Sequence, residues 1–182
     1  MSRSVSTFRA DPDVVCADLA CIFSTEIGWM TIVGHHNLVQ SVSIGYPSAT
    51  AAKKALKQAA GSLKESDWSP ELREALEEYA RGKRVHFDQF DLQLPDRTPF
   101  RDRVLAATRQ LAYGQTSTYG ELALRVGHPR AARAVGTVMA TNRFPILIPC
   151  HRVLASGGKL GGYSSHAGTN LKQILLDMER VG

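Results

Sequence analysis

The chain has 182 residues, 43% of them hydrophobic and 21% charged, with a formal net charge of +5. This is the composition of a soluble globular protein, with room for a real core and for one large or two small domains. No apolar run approaches the eighteen or so residues of a membrane span, so no membrane-spanning helix is expected.

The start MSRSVSTFRADPDVV has no apolar segment of a secretory signal. An intracellular, cytoplasmic protein is expected, with a polar leader mobile to about Asp13. Residues 29–46, WMTIVGHHNLVQSVSIGY, are two apolar-rich runs around Gly-His-His-Asn, a β-hairpin pattern. Ser48 can cap a helix that runs through about Ala60 and stops at Gly61. Ser69-Pro70-Glu71 offers a cap, a first-turn proline and an acidic first turn, opening a second helix that ends at Gly82. VHFDQFDLQL, residues 85–94, alternates like a half-buried strand. The first part of the chain therefore reads as a small α/β domain over residues 1–97.

A composition change at Asp96 to Thr98 marks the boundary, and a second domain, 98–182, begins with the helix FRDRVLAATRQLA. Thr118-Tyr119-Gly120-Glu121 fits a capping box that opens the helix YGELALRV. Gly127-His128-Pro129 is a turn, and Arg130 to Ala140 form a third helix, RAARAVGTVMA. Two short helices joined by a glycine-containing turn are a helix-turn-helix pattern. In the third helix Ala131, Ala132, Ala134 and Gly136 are small enough for its backbone to approach a partner closely, or for tight helix packing. Arg133 stands as one long cation among them. The last helix runs from about Asn170 to Arg180.

Charge separates the halves. Residues 99–182 hold 11 Lys+Arg against 4 Asp+Glu, a net +7, whereas residues 1–98 hold 11 against 13, a net −2. The basic half either meets a polyanion, nucleic acid first among them, or presents a solvated basic face. The three cysteines, Cys16, Cys21 and Cys150, are too few for a disulfide framework. Cys16 and Cys21 with His35, His36 and His86 lack a standard zinc-ligand spacing, so no metal is expected. No phosphate or dinucleotide loop is present, because Gly157-Gly158 and Gly161-Gly162 do not fit one.

PILIPCHRV, residues 145–153, is the segment richest in chemistry. Ile146-Leu147-Ile148 has the length and composition of a short buried strand, which Pro149 would end. Cys150 would then leave the core partly exposed, with His151 and Arg152 favouring its thiolate.

From Thr98 onward the chain closely resembles the O6-alkylguanine-DNA alkyltransferases, or methylated-DNA–protein-cysteine methyltransferases. The resemblance lies in TPFRDRV, YGQTSTYGELA, HPRAARAVGTVMATN, PILIPCHRV, GGYS and LLDME, in the family's order and near its spacing. It implies an RNase H-like α/β N-terminal domain and a mostly helical winged helix-turn-helix C-terminal domain, acting as a monomer without a cofactor. The implied reaction is stoichiometric, irreversible transfer of the O6-alkyl group of a flipped-out guanine, with O4-alkylthymine as a further candidate, to Cys150. The partner is double-stranded DNA carrying alkylated guanine, bound with low sequence specificity.

Carried over by residue, the resemblance makes His151 the base that takes the Cys150 proton through a water, with Glu179 orienting it. Tyr119 would donate a hydrogen bond to the departing guanine. Asn142 would hold the third helix to the Cys150 segment. Backbone groups of Cys150, Val153 and Ser164 would read the base edge, and Pro145 and Tyr163 would wall the pocket. Arg133 would fill the stack, with Ala131, Ala132 and Gly136 facing DNA. The chain departs from the family at SSHAGTN, a pocket loop about two residues longer, and at Arg143-Phe144 after Asn142, where Arg143 adds a candidate phosphate contact. Three rivals stand beside this reading: a non-repairing lesion-binding relative, a cysteine hydrolase and a helix-turn-helix regulator. The presence of Cys150 argues against the first. A basic helix-turn-helix would be idle in the second, and the third lacks an additional regulatory module.

Overall fold

The computed structural model describes residues 18–60, 63–95 and 97–181. The expected leader and Cys16 lie outside them. Contacts divide the chain into two compact units, Met1–Pro95 and Asp96–Gly182.

The first unit is built on a five-stranded sheet in the order β4-β1-β2-β3-β5. Strands β1 (Leu19–Thr25), β2 (Gly28–His35) and β3 (Leu38–Tyr46) form an antiparallel meander, and β4 (Lys64–Glu65) and β5 (Asp91–Leu92) add short parallel edges. The hairpin expected over 29–46 is β2–β3, with His36 at φ 51 in its turn. Two helices cover the sheet, α1 (Ala49–Ala60) and α2 (Pro70–Ala80). The Ser48 hydroxyl accepts from Ala51 N across 3.2 Å. Ser69 makes no such side-chain bond, so the start of α2 rests on Pro70 and Glu71 instead. Leu72, Leu76 and Tyr79 of α2 are fully buried, as are Met30 and Ile32 of β2. The strand expected over 85–94 shrinks to Asp91–Leu92, because only there does the chain meet the edge of β3. Alternation alone does not supply a pairing partner.

In the second unit Thr98 caps α3 (Pro99–Arg109), accepting from Arg101 N across 3.2 Å. Helices α4 (Tyr119–Arg125) and α5 (Ala132–Ala140) follow, and α6 (Gly168–Val181) closes the chain. The Thr118 box is complete: its hydroxyl accepts from Glu121 N, and the Glu121 carboxylate accepts from Thr118 N across 2.7 Å. Helix α5 starts two residues later than Arg130, since its N-cap is Ala131. Two-residue strands β6 (Ser117–Thr118) and β7 (Val153–Leu154) pair in parallel, Ser117 with Val153 and Thr118 with Leu154. That short ladder fixes the start of α4 beside the end of the Cys150 segment.

The apolar run before Cys150 is not a strand. Residues 145–147 form a buried turn in which Ile146 takes φ 73, Ile148 N donates to Phe144 O, and Cys150 N donates to Ile148 O across 2.7 Å. A β-branched residue at positive φ is a strained conformation that the surrounding packing must hold. Ile146, Leu147 and Ile148 supply that packing, each at most 2% exposed.

Candidate active site

Cys150 opens a 3₁₀ turn, Cys150–Arg152, that α6 covers. The turn corrects one expectation: Cys150 is buried, 7% exposed, not partly open. Burial pushes its thiol pKa up. A hydrogen bond from Asn142, the charge of Lys172, and the backbone N–H groups of Cys150 and His151 oppose that shift.

Asn142 fixes the platform. Its Nδ2 donates to Ile148 O across 2.9 Å, and its Oδ1 accepts from Phe144 N across 3.0 Å. One amide thus spans the strained turn from the end of α5 to the residue two before Cys150.

Beyond the thiol lies a buried ionic cluster. The Nε2 of His151 donates to Oε1 of Glu179 across 2.8 Å, with both side chains at most 1% exposed. A carboxylate only accepts, so Nε2 carries the proton and Nδ1 is the basic nitrogen of the ring. Burial lowers the His151 pKa more than Glu179 raises it, which keeps the imidazole neutral at pH 7. Arg152 does not face the thiol as expected. Its Nε and Nη2 donate to both Glu179 oxygens at 2.8–3.2 Å, and its Nη1 donates to Leu111 O. Gly114 N completes the set at 3.0 Å from Glu179 Oε2. Gly114 has φ +74, and a Cβ there would meet Glu179 O at 3.1 Å, so glycine suits both the turn and the close approach.

Tyr119 is the first residue of α4, and burial together with nearby Cys150 raises its pKa, so the phenol stays protonated and able to donate. A Cβ on Gly161 would meet its hydroxyl at 3.1 Å. Tyr163 turns its hydroxyl inward, where it is buried without a partner among the described residues. Cys150 and Glu179 add to the burial that raises its pKa. The Ser164 hydroxyl donates to Ala140 O across 2.7 Å and ties the pocket loop to the end of α5. Pro145 enters the strained turn, and Val153 begins β7.

Lys172 escaped the sequence reading. It is fully buried, and its Nζ donates to the carbonyls of Val153 (2.6 Å), Leu160 (2.5 Å) and Gly162 (3.4 Å). Its seven-residue separation from Glu179, two turns of α6, puts both on one helix face, and that spacing was the available signal. The role of Arg152 left none, since only the fold shows which way it turns.

Residues 99–181 match the family profile described as 6-O-methylguanine DNA methyltransferase, DNA binding domain. A methylated-DNA–protein-cysteine methyltransferase of Methanosarcina acetivorans is 34% identical over 159 residues, covering 87% of this chain and 96% of its own. The chain belongs to the methylated-DNA–protein-cysteine methyltransferase family. A constitutive methylated-DNA–protein-cysteine methyltransferase of Bacillus subtilis is 38% identical over 119 residues, 65% of this chain and 70% of its own. Among solved structures, the OGT protein of Mycobacterium tuberculosis in complex with DNA has a TM-score of 0.74 at 32% identity, covering 90% and 93% of the two chains. The chain is thus a cysteine-alkylating methyltransferase of DNA repair. In this methyltransferase Arg133 is exposed on α5 with Ala131, Ala132 and Gly136 half-buried around it. Arg143 is exposed beside Asn142. Among the described residues no group of three or more His, Cys, Asp or Glu is placed to hold a metal ion, and no helix is long and apolar enough to cross a membrane.

Proposed function

We propose that this methyltransferase uses Cys150 to take the O6-alkyl group from a guanine flipped out of duplex DNA, and that each molecule reacts once. The observation that carries the reading is the buried His151–Glu179 pair directly after Cys150, joined at 2.8 Å. A neutral imidazole held by a carboxylate is a base suited to a thiol whose pKa burial has raised.

The step balances as follows. The Cys150 proton passes through a water to Nδ1 of His151, and Sγ attacks the alkyl carbon in line with the O6–carbon bond. An S–C bond forms, the C–O6 bond breaks, and its electron pair stays on the guanine, where Tyr119 donates a hydrogen bond. The proton held on His151 then returns through solvent to the guanine, leaving His151 neutral. The product is a thioether, which is not displaced again, so the protein is consumed.

A stacked base is out of reach, so flipping is part of the reading. Arg133 enters the vacated stack from α5, and Ala131, Ala132 and Gly136 let the helix backbone approach the duplex. The base is read by backbone groups of Cys150, Val153 and Ser164 between walls formed by Pro145 and Tyr163, and Arg143 touches phosphate. We further read residues 1–97 as an RNase H-like domain and 98–182 as a winged helix-turn-helix domain acting as a monomer. The test is stoichiometry. With excess O6-methylguanine duplex, repair stops at one methyl per protein; continued turnover would overturn the reading.

A further inference from the structure

We propose that Lys172 is a positioning residue of the alkyl transfer: its ammonium pins two backbone segments that follow Cys150 in the chain and serves as the counter-charge of the Cys150 thiolate. The inference rests on the reading that Cys150 is the acceptor.

Geometry carries the first half. An ammonium has three N–H groups, and three carbonyls receive them, those of Val153, Leu160 and Gly162. Val153 lies three residues after Cys150, and Leu160 and Gly162 flank Gly161, where a Cβ would meet the Tyr119 hydroxyl at 3.1 Å. One fully buried side chain therefore ties β7 to the loop that closes over the phenol. A neutral amine would have two N–H groups and a lone pair facing a third oxygen, so the arrangement is made for the charged form.

Charge balance carries the second half. Lys172 acts electrostatically on Cys150 and His151 of the 3₁₀ turn, and its Nζ lies 6.0 Å from the centre of the Tyr119 ring. The phenols are held protonated and the imidazole neutral by burial. Arg152 and Glu179 neutralise one another through their forked contact. Among the described residues no acidic side chain pairs with Lys172, whose ammonium donates to carbonyls, and burial lowers its pKa to about 8, with only Cys150 acting to raise it. A buried cation without an anion is unfavourable, and a thiolate at Cys150 supplies one. Each charge therefore stabilises the other, and the two groups titrate as a linked pair.

The experiment needs no DNA, so its outcome is separate from that of the repair assay. In a Cys16→Ser background, Lys172 Nζ is titrated by ¹⁵N NMR before and after Cys150 is capped with methyl methanethiosulfonate. Capping removes the anion, and the Lys172 midpoint is expected to fall by roughly one pH unit, the size of effect a close opposite charge produces. A midpoint unchanged on capping would overturn the counter-charge. In parallel, the pH profile of Cys150 modification by iodoacetamide is followed by intact mass. K172M is expected to move its midpoint up by about one unit, and K172R to leave it near wild type. K172R, with a planar fork in place of a compact ammonium, is expected to raise the concentration of free O6-methylguanine base that half-saturates the single-turnover rate. A K172M midpoint equal to wild type, or a K172R variant equal to wild type in half-saturating concentration, would refute the corresponding half of the proposal. The capping experiment holds even if the variants fail to fold.

Discussion

Replacing Glu179 by glutamine removes one charge from a site where five contacts converge. The carboxylate accepts from His151, from Nε and Nη2 of Arg152 in three contacts, and from Gly114 N. Glutamine keeps the shape but turns an NH₂ toward groups that are themselves donors, and it leaves Arg152, 8% exposed, without its anion. Breaking a buried ion pair by removing one partner costs about 3–5 kcal/mol, a large part of the roughly 5–15 kcal/mol that holds a domain together. E179Q should therefore unfold at markedly lower urea, with its apparent Tm down by roughly 10 °C. It should also lose alkyl transfer, because His151 no longer has a carboxylate to fix its tautomer. A double variant, E179L with R152M, removes both charges and should recover most of the stability while remaining inactive. Urea denaturation followed by circular dichroism separates these outcomes. A single variant within about 1 kcal/mol of wild type would refute the view that this cluster is a paired buried charge site.

The other expectations are quickly tested. T118A removes the capping box at the start of α4 and should cost about 1 kcal/mol, with slower transfer because Tyr119 is the next residue. R133A should slow repair of duplex substrate about tenfold, the loss of one charged contact, with a smaller effect on free alkylguanine; equal loss on both would refute the finger role. Stability should decline as pH falls below about 6.5. Burial depresses the His151 pKa, so the unfolded chain binds a proton there that the folded chain refuses; a pH-independent urea midpoint between pH 7 and 5 would contradict this. Cys21, whose pKa is pushed up to about 12 by burial and by Asp67, should remain unmodified by iodoacetamide at pH 8.

Local chemistry was legible in the chain and tertiary chemistry was not. Thr98, Pro99 and the Thr118 box announced their helices because a cap is satisfied within four residues. Glu179 could be picked out only within LLDME, and the structure brings it to His151. Ile146-Leu147-Ile148 was misread because a short apolar run looks the same whether it pairs as a strand or fills a turn. Its course is set by Asn142, reaching from six residues earlier, and by the strained φ of Ile146. Arg152 beside Cys150 suggested a thiolate partner, yet its guanidinium turns to Glu179, 27 residues away. Lys172 drew no reading from the sequence, since nothing local shows three carbonyls waiting for it. Buried charge is a property of the assembled site.

The most direct measurement is the mass of the protein after reaction with a duplex bearing one O6-methylguanine. A gain of about 14 Da, expected for a methyl group bound to a covalent nucleophile, should map by peptide digestion to Cys150 alone, and C150A should bind the duplex without gaining mass. Unchanged mass with Cys150 still reduced, or the methyl group on any other residue, would contradict the account.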